Sequence, residues 1–139
     1  MGYTLRIGEA AVESNLEDRS ARVVVEVIER PGAPLNSSDD YRNQISPSYV
    51  VWAEFCRLTG LHDLFLSEFW GGLDYGLLHR HPGAAALTEA HCLAFWKARE
   101  DYLAGPGPVE VLVLRRLDWL VWWTRWALDN CRYPTFYNS

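Results

Sequence analysis

Apolar and polar residues alternate along this chain with two different periods, and the change of period divides it. Tyr3, Leu5 and Ile7 are separated by Thr4 and Arg6, the period-two signature of a half-buried strand. Residues 21–29 (ARVVVEVIE) are dense in β-branched side chains and predict a second strand. The polar link ESNLEDRS between them is too long for a tight hairpin but permits antiparallel pairing through a loop. Two strands alone are marginal in water, so they need helices or a third strand. The tail CRYPTFYNS can supply that strand or simply pack its aromatic rings.

From residue 46 onward the period is helical. Ser46 is placed to cap and Pro47 to occupy the first turn of a helix running to about Thr59, with Gly60 set to end it in a left-handed conformation. Val51, Phe55 and Leu58 make its apolar stripe, with Trp52 alongside. Residues 61–83 read as short, broken helical pieces, because Gly71, Gly72 and Gly76 permit tight turns and Pro82-Gly83 closes the segment. A second helix starts at Thr88, with Glu89 favourable in its first turn, and runs to about Ala104. Cys92, Leu93, Trp96 and Leu103 are its predicted buried side. Gly105-Pro106-Gly107-Pro108 then makes a link short enough to set the next helix antiparallel to this one.

That next helix, residues 109–131, is the stretch the rest must fit around. At roughly 100° per residue, Val113, Leu117, Leu120, Thr124, Ala127 and Cys131 fall close to one line. Trp119, Trp122 and Trp126 form a second line on about the opposite side, and Asp118, Arg125 and Asp129 share the sector left for water. A helix apolar on two sides is buried or shared, so the indoles predict either core or an interface. Glu110, Arg115, Arg116, Asp118 and Arg125 interrupt it too often for a membrane span. The predicted architecture is a single α+β domain over 1–139: a short antiparallel sheet from the N-terminal third packed on about three main helices, with the Trp-rich helix central.

At 139 residues the chain can bury a proper core, and an aromatic content of 14% implies a stiff one. A net charge of −5 argues against a nucleic-acid or anionic-membrane surface. Cys56, Cys92 and Cys131 are odd in number and far apart, each inside a predicted helix, which fits reduced thiols better than a disulfide framework. The opening MGYTLRIGEA has no apolar stretch of signal length, and Arg6 stands where a myristoylation signal needs Ser or Thr. The expectation is a cytoplasmic protein.

Candidate chemistry is sparse. Asn36, Asp39, Asp40, Arg42, Asn43, Gln44, Ser46, Ser48 and Tyr49 gather acids, a cation, amides and hydroxyls in one long loop, suited either to a binding surface or to a connector satisfying its own turns. His79 and His81 flank Arg80 before the Pro-Gly turn, without the further ligands that a zinc site needs. No nucleophile elbow, Walker loop, dinucleotide fingerprint or zincin motif occurs, so no cofactor or metal is expected and an enzyme is the less favoured class. The small-molecule alternative sets a site between the 36–49 loop and the 79–83 turn, with Arg42 binding an anion, Ser46 and Tyr49 nearby, and His79 and His81 across from them, His81 as base.

The strings NQISPSYxxW at 43–52, GLHDLF at 60–65, HPG followed by ALT within 81–88, and the ending WALDNCRYPTFYNS resemble a set of small bacterial and phage proteins to which no activity is attached. The likeness spans about residues 42–139, omits the N-terminal strands and transfers no catalytic residue. It implies a phage or prophage accessory role. The expected function is therefore binding of another protein, in the manner of a phage-encoded inhibitor of a host system. Asn36, Asp39, Asp40, Arg42, Asn43, Ser48, Tyr49, Trp119, Trp122, Trp126 and Tyr137 are the contact candidates. A homodimer joined through the Trp sides is a variant of the same reading.

Overall fold

The computed structural model describes residues 1–72 and 76–139. Every strand pairing in it is antiparallel, and the organising strand is the first. The elements run β1 (Leu5–Asn15), β2 (Ser20–Val25), β3 (Gln44–Ile45), α1 (Tyr49–Thr59), α2 (His62–Leu66), β4 (Gly83–Ala86), α3 (Glu89–Ala104), α4 (Val111–Asn130) and β5 (Pro134–Asn138). The fold is α+β, as the two periods predict. The first half of β1 lies between β3 and β5, with Ile7 opposite Phe136, while its second half pairs only with β2. The C-terminal tail is thus an interior strand, held between β1 and β4.

The hairpin differs from expectation. Glu13, Ser14, Asn15 and Ser20, all read as loop, lie within the paired strands, leaving a turn of residues 16–19. Polar side chains close that turn: Asn15 Oδ1 accepts the Glu17 N–H, Asp18 Oδ1 accepts the Ser20 N–H, and Arg19 takes a positive φ of 55°.

Helix α1 begins later than the Ser-Pro pair suggested. Pro47 O accepts the Tyr3 N–H, and Ser48 forms a bridge with Gly2, so residues 46–48 stay extended and Ser48 becomes the cap. Gly60 ends the helix at φ 71° as expected. Its buried face is Trp52, Phe55 and Cys56, whereas Val51 and Leu58 are exposed. In α3 the buried residues are His91, Cys92, Phe95 and Ala98, and Leu93, Trp96 and Leu103 face outward. Residue type alone misassigned that face, because it carries a histidine and a small alanine where the opposite face carries Leu and Trp. Of the broken segment 61–83, α2 is helical as expected, β4 begins only at its last residue, Gly83, and residues 73–75 lie outside the described set.

Helix α4 touches α3, β1 and β5, and both of its predicted lines enter the core. Val113, Leu117, Leu120, Thr124 and Ala127 are buried, and so are Trp119 and Trp123. Trp122 and Trp126 are half-buried. Two salt bridges cross the antiparallel pair, Arg99 Nε to Asp118 at 2.5 Å and Arg125 to Glu89, and Arg125 also pairs with Asp129 of its own helix. Phe65 of α2 joins the layers, with its ring 5.1 Å from Trp52, 5.8 Å from Phe95 and 5.6 Å from Phe136. Among the described residues, no helix is long and apolar enough to cross a membrane.

Candidate functional site

The 36–49 loop is built as much inward as outward. Asn36 is fully buried; its amide donates to Asp40 Oδ1 and Gln44 O, and its carbonyl accepts from the Ser38 and Asp40 N–H groups. Asn43, equally buried, donates to Ile7 O and Glu26 O and accepts from the Ile28 N–H. Arg42 turns to Asp40, holding that carboxyl below the usual carboxylate range, and its carbonyl takes the indole N–H of buried Trp119 at 3.1 Å. Asp39 is pinned to Arg115 of α4. Asn36, Asn43 and Trp119 are therefore internal fasteners, and Ser38, Asp39, Tyr41, Ser46, Ser48 and Tyr49 are what the loop presents to solvent.

The loop and the 79–83 turn do meet, through Tyr49 and His81. The Tyr49 hydroxyl lies 2.9 Å from His81 Nε2, and His81 Nδ1 lies 2.6 Å from Asn138 Oδ1. The tautomer follows from the far end of this chain of bonds. Asn138 Nδ2 donates to Arg80 O at 3.0 Å and Gly83 O at 3.3 Å, which turns Oδ1 toward the ring. An amide oxygen only accepts, so His81 Nδ1 carries a proton, and in the neutral tautomer this selects, Nε2 holds the lone pair that faces the Tyr49 hydroxyl. The Tyr3 ring packs edge-on against both, with centroids at 4.7 and 4.8 Å. A shallow groove lined by Gly2, Thr4, Ser46 and Ser48 adjoins them, with a volume of about 320 Å³. Ser48 Oγ accepts the Val51 N–H as the helix cap, and Arg42 is committed to Asp40 on the Glu29 side of the loop. The structure thus brings together Tyr49 and His81 from the predicted small-molecule site, adds Asn138, and turns Arg42 elsewhere. Among the described residues no cluster of His, Cys, Asp and Glu could hold a metal ion.

Tyr137, a predicted contact, is buried under the Arg6 guanidinium at 5.5 Å. Trp126 is half-covered by Arg30 at 5.3 Å. What residue reading did not single out is the β1–β2 ribbon. From Ala11 through Val23 every residue is exposed, because β5 stops at Pro134 opposite Glu9 and no helix among the described residues covers the stretch beyond. One ribbon face carries Val12 paired with Val23 and Ser14 with Ala21; the other carries the Glu13–Arg22 ion pair. Val12 is 71% exposed and Leu16, at the tip, 92%. The signal was present as the run AAVES ahead of ARVVV, but it was hidden by reading the polar link as a loop. A second exposed apolar row, Leu93, Trp96 and Leu103, runs along α3.

Compared with family models, with curated proteins and with solved structures, the chain finds no match in any of the three.

Proposed function

We propose that this protein acts by binding another protein, with the β1–β2 ribbon as its docking element. The observation that supports this reading is the ribbon itself. It is a two-stranded arm exposed on both faces, in which β2 pairs with no strand but β1 among the described residues and the apolar Val12–Val23 face is left exposed. Isolated two-strand ribbons are marginal in water, and natural proteins blunt bare edges unless something pairs with them. A partner that adds an extended segment to β2 supplies both the missing hydrogen bonds and cover for the valines. Glu9, Glu13, Glu17, Asp18 and Glu26 outnumber Arg19 and Arg22 here, so the matching partner surface is basic around an apolar strip. The resemblance of residues 42–139 to small bacterial and phage proteins supports a phage-encoded inhibitor of a host system as the form of this reading.

The test is capture of a partner by the intact protein and by a Val12→Lys/Val23→Lys variant of unchanged thermal stability. A partner lost from the variant bears the reading out; one retained at undiminished affinity sinks it.

The Tyr49–His81–Asn138 relay favours a second reading, a small enzyme in which His81 Nε2 takes a proton from Tyr49 or from a bound hydroxyl. His81→Gln would abolish such an activity, and a substrate turned over equally well by that variant would exclude the relay.

A further inference from the structure

Arg116 lies on the buried side of α4 with only 9% of its surface exposed. Helical arithmetic sets it between Trp119, Trp123, Leu120 and Ala127 around the helix axis, in the middle of the apolar stripe. Its Nε is fully buried and has no hydrogen-bond acceptor. The acid two positions on in sequence, Asp118, is engaged with Arg99, and Asp39 with the neighbouring Arg115. Among the described residues no carboxylate forms an ion pair with it, and burial alone pulls its pKa down. A buried guanidinium without a counter-charge is costly and uncommon, since buried charges are ordinarily paired. Side chains on a helix lean toward its N-terminus, which carries this one toward the boundary between buried Val113 and exposed Leu112.

We infer that Arg116 is the receptor for an organic carboxylate supplied from outside the chain, entering between the core and the exposed first turn of α4. The unmet atom is Nε. The side-on fork of Nε and one terminal nitrogen matches the two oxygens of a carboxylate. The surroundings are apolar, and the neighbouring cation Arg115 is tied to Asp39. A phosphate dianion, which needs several donors or cations, is poorly served there, whereas a monoanion with an apolar body is well matched. The carboxylate belongs either to a free acid or to a side chain of a bound protein.

The experiment is a thermal-shift titration of the full-length protein at constant ionic strength. The probes are sodium phenylacetate, a short glutamate-bearing peptide amide, and sodium phosphate. The expected result is a saturable rise in Tm of several degrees with phenylacetate or with the peptide, and little or none with phosphate. Phenylacetate alone assigns a free acid, and the peptide alone assigns a protein side chain. The rise disappears in Arg116→Met and persists in an Arg57→Gln control. Without any probe, Arg116→Met should melt at or above the wild-type temperature, because no ion pair is lost. Arg116→Lys, which keeps the charge but lacks the fork, should lose the greater part of the shift. No response to either carboxylate, or an equal response in the Arg116 variants, overturns the inference. So does a Tm for Arg116→Met several degrees below wild type in the absence of probe.

Discussion

The side-chain amide of Asn43 donates to the carbonyl of Ile7 across 2.9 Å, thirty-six residues away in sequence and inside the protein. The same group donates to Glu26 O at 2.8 Å and accepts from the Ile28 N–H at 2.8 Å. One carboxamide therefore stands in for backbone pairing where β2 leaves β1. It ties the base of the exposed ribbon to the sheet.

Replacing Asn43 with Leu strands three backbone groups. At about 1 kcal/mol or more for each, the expected loss is about 2–4 kcal/mol by urea denaturation. Asn43→Asp should also destabilise, since a carboxylate cannot donate to Ile7 and Glu26. A loss under about 0.5 kcal/mol for either variant would contradict this role.

His91 gives the fold a defined acid sensitivity. Its Nδ1 accepts the Thr88 N–H at 3.0 Å at the start of α3, its ring stacks 5.0 Å from Trp70, and burial lowers its pKa to about 4. The unfolded chain binds a proton near pH 6.5, the folded one only near 4. Stability from this group is therefore complete above about pH 6.5 and is lost as pH falls toward 4. Protonation also removes the acceptor that the Thr88 N–H uses. Denaturation curves between pH 7 and pH 4 should show a decline on the order of 2–3 kcal/mol that His91→Asn largely removes.

The thiols should be slow. Burial pushes Cys56 to about 12 and Cys131 to about 11, and raises Cys92. At pH 8 almost no thiolate is present, so an aromatic disulfide reagent should label the native protein far more slowly than the denatured chain. Cys56, with no exposed surface, should be the last to react. Rapid native labelling of Cys56 would mean that α1 opens readily.

Within the Tyr49–His81–Asn138 relay the two ends should differ. Tyr49 is at the surface, so Tyr49→Phe should cost under about 1 kcal/mol. Asn138 is fully buried and satisfies the carbonyls of Arg80 and Gly83, so Asn138→Ala should cost about 2–3 kcal/mol. Nitrogen chemical shifts of His81 at neutral pH should report the Nδ1–H tautomer; the opposite tautomer would mean that the Asn138 amide is turned round.

Replacing residues 12–23 with a two-residue turn should leave folding intact, with a change under about 1 kcal/mol, because that stretch buries almost nothing. A collapse of stability would show that the ribbon supports the sheet and is no free arm.

The sequence by itself determined the kinds of element and several of their ends. Alternation and a β-branched run gave the first two strands, Gly60 and Thr88 marked helix boundaries, and four closely spaced tryptophans required a helix covered on more than one side. These are local effects: side-chain period, backbone freedom and capping act within a few residues. Tertiary structure decided which faces were used. Val51, Leu58, Leu93 and Trp96 are as apolar as any core residue, yet they face outward, because the packing of α1 and α3 in the assembled fold selects Trp52, Cys56, His91 and Ala98 instead. It also decided that Tyr49 meets His81, that Asn36 and Asn43 turn inward, that the tail becomes an interior strand, and that the hairpin outruns the core. Each of these depends on partners tens of residues away, and no local pattern carries that information.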